Sequence, residues 1–83
     1  MRIEFTDHFV NEILEKRPHL RRDWLECVVL QPLKVERLRG GKYRMWGRIP
    51  TRRKCFLQVI TLSDMRTINN AFIDQDFSWE DPK

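Results

Sequence analysis

Cysteine is scarce in this chain: Cys27 and Cys55 are its only two, and the two histidines, His8 and His19, stand eleven residues apart and far from either thiol in sequence. That spacing argues against a structural zinc site, and two isolated cysteines in a chain without a secretory leader are expected to be reduced, partly buried packing residues rather than a bridge. Glycine is also rare, with only Gly40, Gly41 and Gly47, so there is no glycine-rich phosphate cradle, no dinucleotide fingerprint and no calcium loop. Long apolar runs are missing, and the segment from Met1 to Phe9 carries Glu4 and Asp7. This excludes a signal sequence or a membrane span there and sets a cytoplasmic expectation. No serine or cysteine sits beside residues that would make it a nucleophile. Neither a cofactor nor a metal is expected.

What is present suits one domain of 83 residues, with 41% hydrophobic and 34% charged residues, enough to fill a core and cover it with charge. The net charge of +4 is unevenly distributed. Between Lys34 and Lys54 nine cations (Lys34, Arg37, Arg39, Lys42, Arg44, Arg48, Arg52, Arg53 and Lys54) face the single acid Glu36, a net +8 over 21 residues. The last ten residues oppose it: Asp74, Asp76, Glu80 and Asp81 against Lys83 give −3.

Thr6 to Arg17 reads as a helix, capped by Thr6 or Asp7, with Phe9, Val10, Ile13 and Leu14 on one face, Phe5 as a hydrophobic staple and Pro18 as its stop. A second helix from Arg21 to Leu30 presents Trp24, Leu25, Val28 and Val29, and ends before Pro32. Four strands follow: Val35 to Arg39, Lys42 to Ile49 across a Gly40-Gly41 hairpin turn, Lys54 to Leu62 as the central strand, and Arg66 to Phe72. The expected fold class is α+β, a single domain of two N-terminal helices packed on one face of a four-stranded antiparallel meander. The acidic segment from Ile73 to Lys83, with Phe77 and Trp79, either packs back or stays mobile.

The basic hairpin is the strongest functional signal. Lys42, Arg44 and Arg48 are expected to share a strand parity, with Tyr43 and Trp46 on the other and the pleat broken locally at Gly47, so that the three cations project from one face. A row of cations on an extended ribbon suits a nucleic-acid backbone, although charged residues also protect sheet edges. Trp46 could stack on a base, whereas Trp24 reads as core. His8, in the first helical turn, is the candidate acid or base. Asn69 and Asn70, near Asp74, are candidates for the rim of a polar pocket, with Asp74 able to orient an arginine, or simply for turn hydrogen bonds.

The runs Thr6-Asp7-His8-Phe9, Lys16-Arg17-Pro18-His19-Leu20, Asp23-Trp24, Gln31-Pro32, Gly41-Lys42-Tyr43-Arg44-Met45-Trp46-Gly47 and Thr67-Ile68-Asn69-Asn70-Ala71-Phe72-Ile73-Asp74 together resemble a group of small uncharacterised bacterial proteins. That group is similar in layout to the BrnT and RelE families, ribonuclease toxins of toxin–antitoxin pairs. The resemblance implies a bacterial RNA-binding protein, with Lys42, Arg44, Arg48 and Arg66 against phosphate and His8 as base. Any cleavage would be that of a weak or inactive metal-independent ribonuclease, because the group often carries His at the position of Asn69 and Arg at that of Gln75. Two alternatives accompany it. One is a non-catalytic module docking an acidic protein such as an antitoxin through its basic hairpin. The other is a small-molecule enzyme with a pocket around His8, Trp46, Asn69 and Asp74.

Overall fold

Thr6 begins the first helical stretch as its side chain allows: in the computed structural model its Oγ1 accepts the Phe9 N–H at 3.1 Å, and the Phe5 ring stacks on Phe9 with centroids 5.9 Å apart. Capping and stapling thus act together at this start. The structure describes residues 2–17 and 19–79, with the side chain of Arg53 excepted. The helix stop assigned to Pro18 and the charges of Glu80, Asp81 and Lys83 lie outside the described residues.

The elements are β1 (Glu4–Phe5), a π-helical segment (Phe9–Leu14), α1 (Arg22–Leu30), β2 (Lys34–Arg37), a 3-10 turn (Arg39–Gly41), β3 (Tyr43–Ile49), β4 (Arg52–Thr61) and β5 (Thr67–Ile73). They build one sheet in the order β1-β5-β4-β3-β2. The expectation of two helices on a four-stranded antiparallel meander is overturned on two counts. The sheet has five strands and is mixed, because Glu4 and Phe5 pair parallel to Thr67 and Ile68. A two-residue strand has no periodicity to read, and its partner lies more than sixty residues away. The first helical stretch is also not a regular α-helix: the Glu15 N–H donates to the Val10 carbonyl at 3.3 Å, a five-residue step, so α1 is the one regular α-helix among the described residues. The antiparallel part, β2 to β5, matches the expected strands to within two residues, and β4 is central.

Apolar residues at helical spacing and alternate strand residues meet on one side of the sheet. Phe9, Leu20, Leu25 and Val28 from the helical layer close over Met45, Ile49, Leu57, Val59, Ile68 and Ala71, all buried. Gly47 belongs to this side: a Cβ there would lie 2.8 Å from Val28 Cγ2, so the missing side chain is what lets α1 approach β3. Cys55 packs against this core and Cys27 is exposed, so only one of the two thiols is the packing residue expected. Gly40 and Gly41 take φ of 83° and 82°, the left-handed conformation their turn requires.

The turn between β4 and β5 is held by Asp64. Its Oδ1 accepts the Arg66 and Thr67 N–H groups at 3.0 and 2.9 Å, and its Oδ2 accepts the Thr67 hydroxyl. Partial burial disfavours the charged form, but the Thr67 hydroxyl, those two N–H groups and the Arg66 guanidinium outweigh it and lower the carboxyl from 3.8 to about 2. An acid whose folded-state pKa is depressed stabilises the fold above its unfolded value, and the contribution disappears as pH falls through the folded one. Asp64→Asn is therefore expected to flatten the loss of stability that urea melts record from about pH 3.8 down to about pH 2. An unchanged acid limb would show that the turn opens before Asp64 is protonated.

Candidate nucleic-acid interface

Side chains directly opposite each other in an antiparallel ladder share a face, so the strand register defines the side of the sheet away from the helices. One rung is Lys34, Trp46, Gln58 and Phe72; the next is Glu36, Arg44, Ile60 and Asn70; Arg48 sits opposite Phe56. Trp46 therefore lies on the same face as Arg44 and Arg48, not on the opposite one. Gly47 does not break the pleat: it pairs with Leu57 in an uninterrupted ladder, and the irregularity comes one step later, between Arg48 and Ile49. Alternation by two then puts residues 44, 46 and 48 together, roughly 6.6 Å apart along the strand.

Cations cluster around the rings of this face. Lys34 Nζ lies 5.4 Å and Arg44 Cζ 5.6 Å from the Trp46 ring centroid, and Arg48 Cζ lies 5.5 Å from that of Phe56, all within cation–π range. Glu36 stands between two of them, 3.6 Å from Lys34 Nζ and 3.6 Å from an Arg44 nitrogen. Arg44 Nε is buried and has no hydrogen-bond acceptor among the described residues, a donor left unused beside an aromatic ring.

Asp74, immediately after β5, ties the face together. Its N–H donates to the Phe56 carbonyl at 2.9 Å, while its Oδ2 accepts both the Trp46 indole N–H at 3.0 Å and the Gln58 amide at 2.8 Å. The indole bond, opposed by partial burial and aided by Gln58 and the Asp76 and Phe77 N–H groups, holds the Asp74 carboxyl below its usual range. Asp74 Oδ1 accepts the Asp76 N–H at 3.0 Å, which turns the chain back over the sheet. The Phe77 ring then lies parallel to Trp46, with centroids 5.0 Å apart and planes 10° apart, and edge-on to Phe56 at 5.1 Å. Trp79 stacks on Phe77 at 6.4 Å, and the Trp79 carbonyl accepts from an Arg48 nitrogen at 3.4 Å.

The residues singled out in the sequence are thus distributed unevenly. Arg44, Arg48, Trp46 and Asp74 come together, and Asn70 lies on their face two strands from Arg44, with its Oδ1 accepting the Ala71 N–H. Asn69 does not: it falls at the irregularity in the β4–β5 ladder and its Oδ1 accepts the Thr6 hydroxyl at 3.2 Å, beside the first helical stretch where His8 is exposed. Lys42 is exposed just before β3, and Arg66 is in the Asp64 turn, 3.7 Å from that carboxylate. Both stand at the end of the sheet where Tyr43 pairs with Thr61. Lys34, Phe56, Gln58 and Phe77 are the residues the sequence reading missed. The available signal was the opposite charge of the aromatic C-terminal segment and the basic hairpin.

Among the described residues, no group of three or more His, Cys, Asp or Glu side chains is placed to hold a metal ion, and no helix is long and apolar enough to cross a membrane. No family model, no curated protein and no solved structure matches the chain.

Proposed function

We propose that the protein binds single-stranded RNA on the helix-free face of its sheet, with little or no cleavage. The observation that carries this reading is the row Arg44-Trp46-Arg48, cations on either side of an aromatic ring on one strand face, with Lys34 and Phe56 beside it. Cations that track a phosphate backbone and rings that accept bases are the two components of single-strand binding surfaces. Lys42 and Arg66 extend the positive charge toward one end of the sheet. Weak turnover follows from the same geometry: Asn69 and the exposed His8 belong to the β1–β5 side, with β4 between β5 and the arginines. General acid–base assistance, worth about 10²- to 10⁴-fold, is then missing where phosphate would sit.

A fluorescein-labelled single-stranded RNA titrated at several salt concentrations tests this. Affinity is expected to fall steeply with salt, because each neutralised phosphate releases counterions. Arg44→Ala with Arg48→Ala is expected to weaken binding about tenfold or more and to flatten the salt slope by about 1.4, the share of two phosphate contacts on a single strand. The melting temperature should fall by no more than about 10 °C, since each half-exposed guanidinium gives up a cation–π contact worth about 0.5–1 kcal/mol. Binding that ignores salt would overturn the reading. A second reading, a module that docks an acidic protein, is favoured by the acidic, aromatic Asp74–Trp79 segment lying on this same face. Tighter binding of an acidic peptide than of RNA would select it.

A further inference from the structure

Trp46 is only 6% exposed although it belongs to the face without helices. Phe77 lies flat against it, with Phe56 edge-on to that Phe77 ring, and Lys34 and Arg44 lie over the indole as well. A planar ring 5.0 Å away and 10° from parallel occupies the place where a nucleobase would stack on an indole. Asp74 holds the indole by its N–H and is itself anchored to the Phe56 backbone. Trp46 thus has an anchor in Asp74 besides the Phe77 ring stacked on it. The following residues are attached differently: from Gln75 to Trp79 the segment is outside the strands, held by the Asp76 N–H on Asp74, by the Phe77 ring and by the Trp79 carbonyl on Arg48 among other contacts.

We propose that Trp46 is a nucleobase-stacking site whose place is taken in the closed chain by Phe77, so that single-stranded RNA binds by displacing the segment that follows Asp74. This rests on the RNA-binding reading of the face. Displacement uncovers the Trp46 and Phe56 rings, releases Arg48 from the Trp79 carbonyl, and leaves the Asp74 bonds to Trp46 and Gln58 in place as the floor of the site. The Arg44 Nε–H, without an acceptor among the described residues, is a donor that can serve phosphate or a base carbonyl.

Where the binding-competent form is a minor fraction of the population, apparent affinity is reduced by that fraction. Phe77→Ala in the full chain is accordingly expected to bind a labelled single-stranded RNA about tenfold more tightly than the unaltered protein. Trp79→Ala, a milder change at the end of the segment, should give a several-fold gain and serves where the first variant melts too low to titrate. Indole fluorescence should be quenched by RNA in both variants, and adding Trp46→Leu to Phe77→Ala should abolish the gain. Equal affinity for the folded variants and the unaltered chain, with binding still salt-dependent, would overturn the displacement proposal and leave the RNA reading standing. Binding by none of the three proteins would overturn both.

Discussion

Replacing Asp74 by alanine is expected to destabilise the protein by about 3 kcal/mol, read as a fall in melting temperature of roughly 12–24 °C for a domain of this size. Its Oδ2 accepts from Trp46 and Gln58, whose side chains stand on residues only 6% and 7% exposed. An alanine leaves both donors without that acceptor. Hydrogen bonds to an ionised group are worth about 1.5–3 kcal/mol, and a buried donor left unpaired costs about 1–3 kcal/mol. The turn is lost as well, since Oδ1 accepts the Asp76 N–H. Asp74→Asn is the sharper comparison: an amide can satisfy the indole and Gln58, or the backbone N–H groups, but its NH₂ opposes one of the two sets. Its expected cost is smaller, about 1–2 kcal/mol. Asp74 is held below its usual pKa, so its contribution is present above the unfolded value and disappears in acid as pH falls through the folded one. The asparagine variant should lose that part of the acid sensitivity. A melting temperature unchanged in Asp74→Ala would mean that water replaces the carboxylate at no cost and that the site is looser than its geometry.

Gly47→Ala is expected to cost about 2 kcal/mol, although the change adds a single methyl group. The new Cβ would stand 2.8 Å from Val28 Cγ2 and 3.3 Å from Val28 Cα and Cβ. Rotating the valine relieves only the first contact, because the other two involve its Cα and Cβ. The helix must therefore shift off β3, and Val28, Leu25 and Met45 repack around it. Alanine restricts the unfolded chain more than glycine does, which returns about 0.4–1 kcal/mol and is already included in the net figure. Val28→Ala alone opens a small cavity and should cost about 1–3 kcal/mol. Combined, the two substitutions should be less harmful than their sum by about 1 kcal/mol, as the new methyl fills part of the space vacated by the valine. Additive costs in a double-mutant cycle of chemical melts would show that the two residues do not meet.

The legible part of the fold was its local part. The stripe Trp24-Leu25-Val28-Val29, the alternating residues of β3 and the apolar run of β4 each carry their own period. Thr6, Gly40 and Gly41 act within a few residues of themselves, as a cap and as φ-positive turn residues. The sequence also contained the opposition between a hairpin of net positive charge and an acidic tail. It did not contain the pairing of Glu4 and Phe5 with β5, because a two-residue strand has no pattern and is created by its neighbour. The five-residue hydrogen-bond step within the first helical stretch was equally invisible, since the apolar spacing of Phe9, Val10, Ile13 and Leu14 suits an ordinary helix too.

The candidate site divides along the same line. Composition alone indicated cations in excess of what a sheet edge needs, and identified Arg44, Arg48, Trp46 and Asp74 as residues of interest. Their grouping depended on register. Trp46 shares the face of Arg44 by simple alternation, Arg48 joins them because β3 runs through Gly47 without a break, and Asp74 joined Trp46 because β5 lies across β4 from β3 with its end level with Phe56. The same ladder carried Asn69 away, since its irregularity at Ile60 and Thr61 leaves that amide with Thr6. By itself the sequence determined which groups carry charge, which rings are available to stack, and that α1 and β2 to β5 are helix and strands, because these follow from residue chemistry and short-range periodicity. Only the tertiary structure decided which charge stands over which ring and that Phe77 covers Trp46, because contacts between distant residues are selected by the packing of the whole sheet, where a one-residue slip in register moves every side chain to the other face.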